Sequence, residues 1–362
     1  MHLLLIAPAN AFVAVLQSDI AFGTGSPAYA AVRWLWFLSI TGVIGAVTFR
    51  LGVVANARGL APEIRSDAID RAAHVGLVSA AFALAAAGLR LMAQSVALLG
   101  EIGPDVAILI TATTWGTAWI IHTVAATAAL AAFALAARGV PGAWALAALA
   151  VPALAAAPAL AGHAAALTSL QPLPIIADTL HVAAGGAWVG GLLVLLTAGL
   201  PATRGLGPQP AQFESLVAAF SPLALASAAI IIATGAFASI IHLESLADLV
   251  RSDWGRLLAL KVGAAIALAA IGARNFLRLK PRLLDPDGQD RMRRSATAEL
   301  AVGAMLLLIT AFLVATSPPA AQDGSAGSAP GEASSVQRVS GDARALGVRA
   351  ARSTTSMYRG AR

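Results

Sequence analysis

Residues 173–200 read LPIIADTLHVAAGGAWVGGLLVLLTAGL. As a helix rising 1.5 Å per residue, this run is longer than the roughly 30 Å hydrocarbon core of a bilayer. Within it Asp178 and His181 stand three residues apart and so share one helix face. On a soluble protein such a pair is an ordinary surface feature. At membrane depth an ionisable side chain is costly and faces a bundle interior, a partner or an ion path. Function is therefore to be sought around His181.

The rest of the chain agrees with a membrane reading. Over 362 residues, 58% are hydrophobic and only 12% charged, with a mean hydropathy of +0.79. A soluble domain of this length has no way to hide so much apolar surface. Strand-like alternation is missing, which argues against an outer-membrane barrel. The expected fold class is all-α: a polytopic membrane bundle of about eight helices, at approximately 31–55, 72–97, 108–136, 143–163, 173–200, 214–242, 256–277 and 296–316. Residues 1–30 read as a retained lead-in, interfacial or outside, because the apolar stretch Leu3–Gln17 is short, contains Pro8 and lacks a basic leader. Residues 31–317 form the transmembrane domain. Residues 318–362, rich in Gly, Ser, Ala, Pro and Arg, are expected to be a disordered basic tail.

Charge orients the bundle. Arg50, Arg58, Arg65 and Arg71 flank the first connection, Arg138 and Arg204 mark the third and fifth, and the seventh holds Arg274, Arg278, Lys280, Arg282, Arg291, Arg293 and Arg294. The even connections carry few. The positive-inside rule then places odd connections in the cytoplasm and both termini outside. The net charge of +6 belongs to these flanks and the tail, and no nucleic-acid-reading motif accompanies it.

Thr114-Trp115-Gly116 through His122 aligns without a gap on Asp253-Trp254-Gly255 through Lys261. Two four-span halves in the same orientation would make a parallel repeat, with a natural site between them. In this orientation His163, Asp178, His181, His242 and His122 all belong to the outer half. Several imidazoles and one carboxylate near one face suit a borderline transition metal, so these five are the candidate ligands. Asp178 could instead orient the imidazole of His181 from behind. The lack of Cys and the scarcity of Met argue against a sulfur-only Cu(I) pathway. His74 reads as a helix-start residue, Trp188 as packing, and Glu299 as an interfacial residue, an exit ligand or a proton carrier. The glycines at 185, 186, 190 and 191 suggest close helix contact beside Trp188.

Leu180-His-Val-Ala-Ala-Gly-Gly-Ala-Trp-Val-Gly-Gly-Leu192 resembles the signature of the copper resistance protein D family (CopD) of bacterial inner-membrane proteins. Phe220-Ser-Pro-Leu-Ala-Leu-Ala-Ser with Thr234-Gly235, and Trp254-Gly-Arg-Leu-Leu-Ala-Leu-Lys261 through Asn275 and Pro281-Arg-Leu283, resemble its following helices. The resemblance implies eight spans and a role in moving copper across the inner membrane. It carries His181, Trp188 and His163 as motif positions. It also implies a periplasmic copper-binding donor, a CopC-like protein, expected here as a separate partner.

The leading expectation is therefore a copper permease with an outer His/Asp site and no enzymatic activity, since no P-loop, aspartyl-phosphate motif or nucleophile–base pair is present. The alternative from another class is a b-type haem electron-transfer protein with two imidazole ligands on facing helices. A third is a non-transporting copper assembly or sensor factor.

Overall fold

The computed structural model describes residues 26–99, 105–162, 171–204, 210–242 and 247–316. Among these residues every regular element is helical. Eight helices are long and apolar enough to cross a membrane: α1 (Pro27–Val54), α2 (Pro62–Leu99), α3 (Thr114–Ala136), α4 (Ala143–Ala161), α5 (Leu173–Ala202), α6 (Pro210–His242), α7 (Asp253–Arg282) and α8 (Gly288–Leu313). The all-α bundle expected from hydropathy is what is found. The lead-in to residue 25, His163 and the tail from residue 317 lie outside the described residues.

Three boundaries depart from expectation for physical reasons. The stretch 108–136 is not one helix: Val106–Ala112 forms a short helix, Thr113 is extended, and α3 starts afresh. The Thr113 hydroxyl accepts the Gly116 N–H at 2.9 Å, capping the new helix. α2 begins ten residues before the expected 72 (72 − 62), because its first turns are amphipathic rather than apolar and are braced by Arg71 on Asp67 at 2.8 Å. α7 starts at Asp253, where the Ser252 hydroxyl accepts the Gly255 N–H at 2.9 Å. Thr113/Gly116 and Ser252/Gly255 are thus the same cap, and each follows a short helix (Val106–Ala112 and Asp248–Arg251).

α1 and α5 form the centre. About seven-tenths of the apolar window of each is buried (72% and 67%), against 6% for α7. They can approach because glycine faces glycine: a Cβ on Gly190 would fall onto the Thr41 carbonyl, and one on Gly45 onto the Gly190 backbone. Without water to exclude, such contact between small residues is what associates helices in lipid. Both helices widen locally into π turns, at Phe49–Val54, Gly186–Gly190 and Leu195–Gly199, a form frequent at functional sites.

Around this pair, α2, α3 and α4 pack through alanine faces that include Ala80, Ala83, Ala126, Ala129, Ala147 and Ala155. α6 lies against α5, α8 against α1, and α7 chiefly against α8. Trp34 Nε1–H donates to the Ala304 carbonyl at 2.9 Å, tying α1 to α8. At the basic end the α1–α2 connection is held by α6: Gln212 accepts from the Ala61 N–H at 2.7 Å and donates to the Gly59 carbonyl at 3.0 Å, and Ser215 donates to the Arg58 carbonyl at 2.7 Å. Arg65 closes the end of α1 by donating to the Val54 and Ala57 carbonyls.

Candidate functional site

Helix lengths alone bring several polar residues to one level. His181 lies eight residues into α5, Lys261 eight into α7, His122 eight into α3, and Thr234 eight before the end of α6. At 1.5 Å per residue each is about 12 Å from the end of the bundle opposite the basic one. Trp36 on α1 and Arg90 on α2 sit within a turn of the same level.

His181 is half-buried, and its Nδ1 lies 2.9 Å from Thr234 Oγ1 on α6. The Thr234 hydroxyl in turn donates to the Ile230 carbonyl at 2.7 Å. Its single hydrogen is therefore committed, so Nδ1–H must donate to the hydroxyl oxygen. That fixes the tautomer and leaves the lone pair on Nε2, which makes no hydrogen bond among the described residues. An imidazole held from behind at one nitrogen and open at the other is the arrangement a metal ligand requires. Gly235 gives the ring room: a Cβ there would stand 3.8 Å from His181 Cε1.

Charge surrounds this ring. Lys261 is close enough to act on His181, and Asp178, one turn above on α5, acts on Lys261. All three are half-buried.

His122 has a different environment. It is fully buried in α3. Nε2 lies 3.2 Å from the Ala83 carbonyl, which can only accept, so Nε2 carries the proton. The Trp36 indole N–H, within 3.3 Å, then donates to Nδ1. Both ring nitrogens are used, and a metal would have to displace one partner. Beside this ring the Arg90 guanidinium stacks on Trp36, its Cζ 3.5 Å from the ring centroid.

His242 closes α6, but its side chain lies outside the described set, as does all of His163. His74, near the basic end, is exposed, and its Nδ1 donates to the Asp70 carbonyl at 2.7 Å. Among the described residues no three His, Asp or Glu side chains form a group able to hold a metal ion. Asp178 and His181 share α5 three residues apart, and His122 stands with Trp36 and Ala83.

Sequence reading weighed Glu299 and Trp188 separately and did not join them. Glu299 of α8 is buried, and its two oxygens accept from Trp188 Nε1–H at 2.9 Å and Asn275 Nδ2–H at 2.7 Å. Trp188 is therefore more than packing. The available signal was an acid and an amide inside apolar runs, but nothing in the linear order links position 188 to 299.

The model of the copper resistance protein D family matches residues 214–313, and that of the copper resistance protein D-like N-terminal domain matches residues 24–172. Thr234, Lys261 and Glu299 fall in the first stretch, and Trp36, Arg90 and His122 in the second. Asp178 and His181 lie between the two. Copper transport protein CutJ of Bacillus subtilis (strain 168) is 28% identical over 159 residues, covering 44% of this chain and 28% of that protein. The chain thus aligns with little more than a quarter of that relative's length. No solved structure matches. The two copper resistance protein D models thus match successive parts of one eight-helix bundle, residues 24–172 and 214–313.

Proposed function

We propose that this protein carries copper across a bacterial inner membrane, taking the ion at His181 from the outer side. The observation that supports this reading is the state of the His181 ring: Nδ1–H is anchored on Thr234, and Nε2 is free among the described residues. Asp178 supplies a carboxylate one turn above, and His163 and His242 are the further donors proposed to complete the site. The proposed outer location rests on the arginines of the odd connections.

Lys261 gives the site its character. A cation arriving beside an ammonium is repelled, and it competes with that ammonium for Asp178. Such a site binds less tightly than an all-ligand cage and releases its ion more readily, as a transfer site must. The proposed donor is a separate periplasmic CopC-like protein. The shared caps at Thr113/Gly116 and Ser252/Gly255 favour two four-helix halves in parallel orientation, with the site between α3 and α7 equivalents at one level.

The test is the metal and haem content of the purified full chain, wild type beside His181→Ala, followed by copper movement in proteoliposomes. Copper bound by the wild type, lost in the variant and moved across the bilayer is the expected result. Binding without movement would favour an assembly or sensor role. A strong Soret band with little copper would overturn the reading in favour of a haem protein.

A further inference from the structure

Glu299 is a carboxyl in the middle of the bundle that the site proposed at His181 does not use. It lies eleven residues into α8 (299 − 288), about 16 Å from the basic end at 1.5 Å per residue. It is 4% exposed and takes part in none of the ion pairs seen among the described residues. Its partners are neutral donors only, Trp188 Nε1–H and Asn275 Nδ2–H.

The charged groups around it all lie toward the ends of the bundle. From α7, Arg274 donates to the Ser295 hydroxyl at 3.0 Å, one turn nearer the basic end, and Arg278 lies a turn further. On α8 itself Arg291, Arg293 and Arg294 are nearer that end, with Arg293 donating to the Leu200 carbonyl at 3.1 Å. α1 brings Arg50 at the basic end and Arg33 at the other, and residues 186–199 of α5 bring no ionisable group.

Two features suit a carboxyl that changes protonation. The first is Asn275, whose Oδ1 is buried and has no hydrogen-bond partner among the described residues. With Glu299 ionised, Nδ2–H donates to the carboxylate, as observed. With Glu299 protonated, a half-turn of the amide would present the idle Oδ1 to the acid O–H. The neighbouring amide can therefore serve both forms, while the Trp188 N–H can donate to either. The second is access. A cleft of about 390 Å³, lined by Ile271, Arg274, Arg291, Arg294, Ser295 and Ala298, lies between α7 and α8 at the basic end. Ser295, one turn before Glu299 on the same face of α8, lines this cleft, and Gly272 leaves the carboxyl space, since a Cβ there would stand 3.2 Å from Oε1.

We propose that Glu299 is a proton-binding site that exchanges with solvent at the basic end through this cleft, with Asn275 as the amide that partners both of its forms. The proposal does not depend on copper, because its ligand is the proton itself.

The test is infrared difference spectroscopy of the full chain in lipid nanodiscs as the pH is stepped. On acidification the wild type should gain a carboxylic C=O band that is missing in Glu299→Gln. In Asn275→Leu the band should remain but shift in frequency, because its amide partner is gone. Should Glu299→Gln fail to fold, the Asn275→Leu shift decides, and an unmoved band there overturns the proposal. A carboxylic band that persists in folded Glu299→Gln, or no titrating band in the wild type, also overturns it. Ala298→Trp, which fills the cleft, should slow hydrogen–deuterium exchange of the band several-fold, and an unchanged rate would refute the cleft as the route.

Discussion

Replacing Thr234 by Val tests the site most directly, because it removes one oxygen and keeps the shape. In the structure that oxygen takes the His181 Nδ1–H at 2.9 Å while its own hydrogen goes to the Ile230 carbonyl at 2.7 Å. As a contribution to stability the lost bond is modest, about 0.5–1.5 kcal/mol. In a domain of this size that lowers Tm by roughly 2–4 °C per kcal/mol. Its contribution to metal binding is larger. Without the hydroxyl the imidazole can exchange tautomers and rotate, and loss of a partner behind a ligating histidine costs about 10–100-fold in affinity. Because His181 is only half-buried, a replacement partner is within reach, so the expected loss is near the lower figure, about 10-fold. The assay is equilibrium copper titration of the purified full chain against a competing chelator, with Tm measured on the same samples. Thr234→Ser, which keeps the hydroxyl, should bind nearly as wild type. Copper affinity unchanged in Thr234→Val, while His181→Ala abolishes binding, would refute the orienting role of this hydroxyl.

Three other outcomes follow from the same contacts. Lys261→Met should tighten copper binding, because it removes a positive charge that acts on the His181 ring; chelator competition reads it, and weaker binding would make Lys261 a supporting rather than an opposing group. His122→Ala should lower Tm without reducing copper affinity, because it strands the Trp36 N–H and the Ala83 carbonyl at about 1–3 kcal/mol each; a loss of copper equal to that of His181→Ala would show His122 to be a ligand after all. Gly190→Ala should sharply reduce recovery of monodisperse protein, because its Cβ would fall onto the Thr41 carbonyl, whereas Gly263→Ala, with nothing within 4 Å of the new Cβ, should be neutral; equal recovery of the two would disprove the α1–α5 contact.

Much of the bundle can be read from hydropathy because a bilayer admits so few solutions. The run from Leu173 needs no more than its length and composition to be placed as a span. The Trp115-Gly116 and Trp254-Gly255 alignment is legible for a local reason: each glycine amide is the donor to a capping hydroxyl three residues earlier. The break at Thr113 escapes an apolar-window reading because Val106–Ala112 is as apolar as the helix it precedes. Contacts across the bundle are another matter. Asp178 and His181 are recognisable as neighbours since they share a helix face. The choice of Thr234 as the partner of His181, and of Trp36 as the partner of His122, depends on how α5 meets α6 and how α1 meets α3. The Trp188–Glu299 bond joins residues 111 positions apart, and no periodicity within either helix records it.

The shared level of His181, Thr234 and Lys261 has an electrical consequence. Were those helix ends level with the surface of a hydrocarbon layer roughly 30 Å thick, a site about 12 Å from them would lie about two-fifths of the way across the membrane field. Moving one elementary charge through the whole field is worth about 2.3 kcal/mol per 100 mV, so a monovalent ion reaching His181 from the nearer side gains or loses about 0.9 kcal/mol per 100 mV. Occupancy of the imidazole would then follow membrane potential by about fivefold per 100 mV for a single charge, and by the square of that factor for a divalent one.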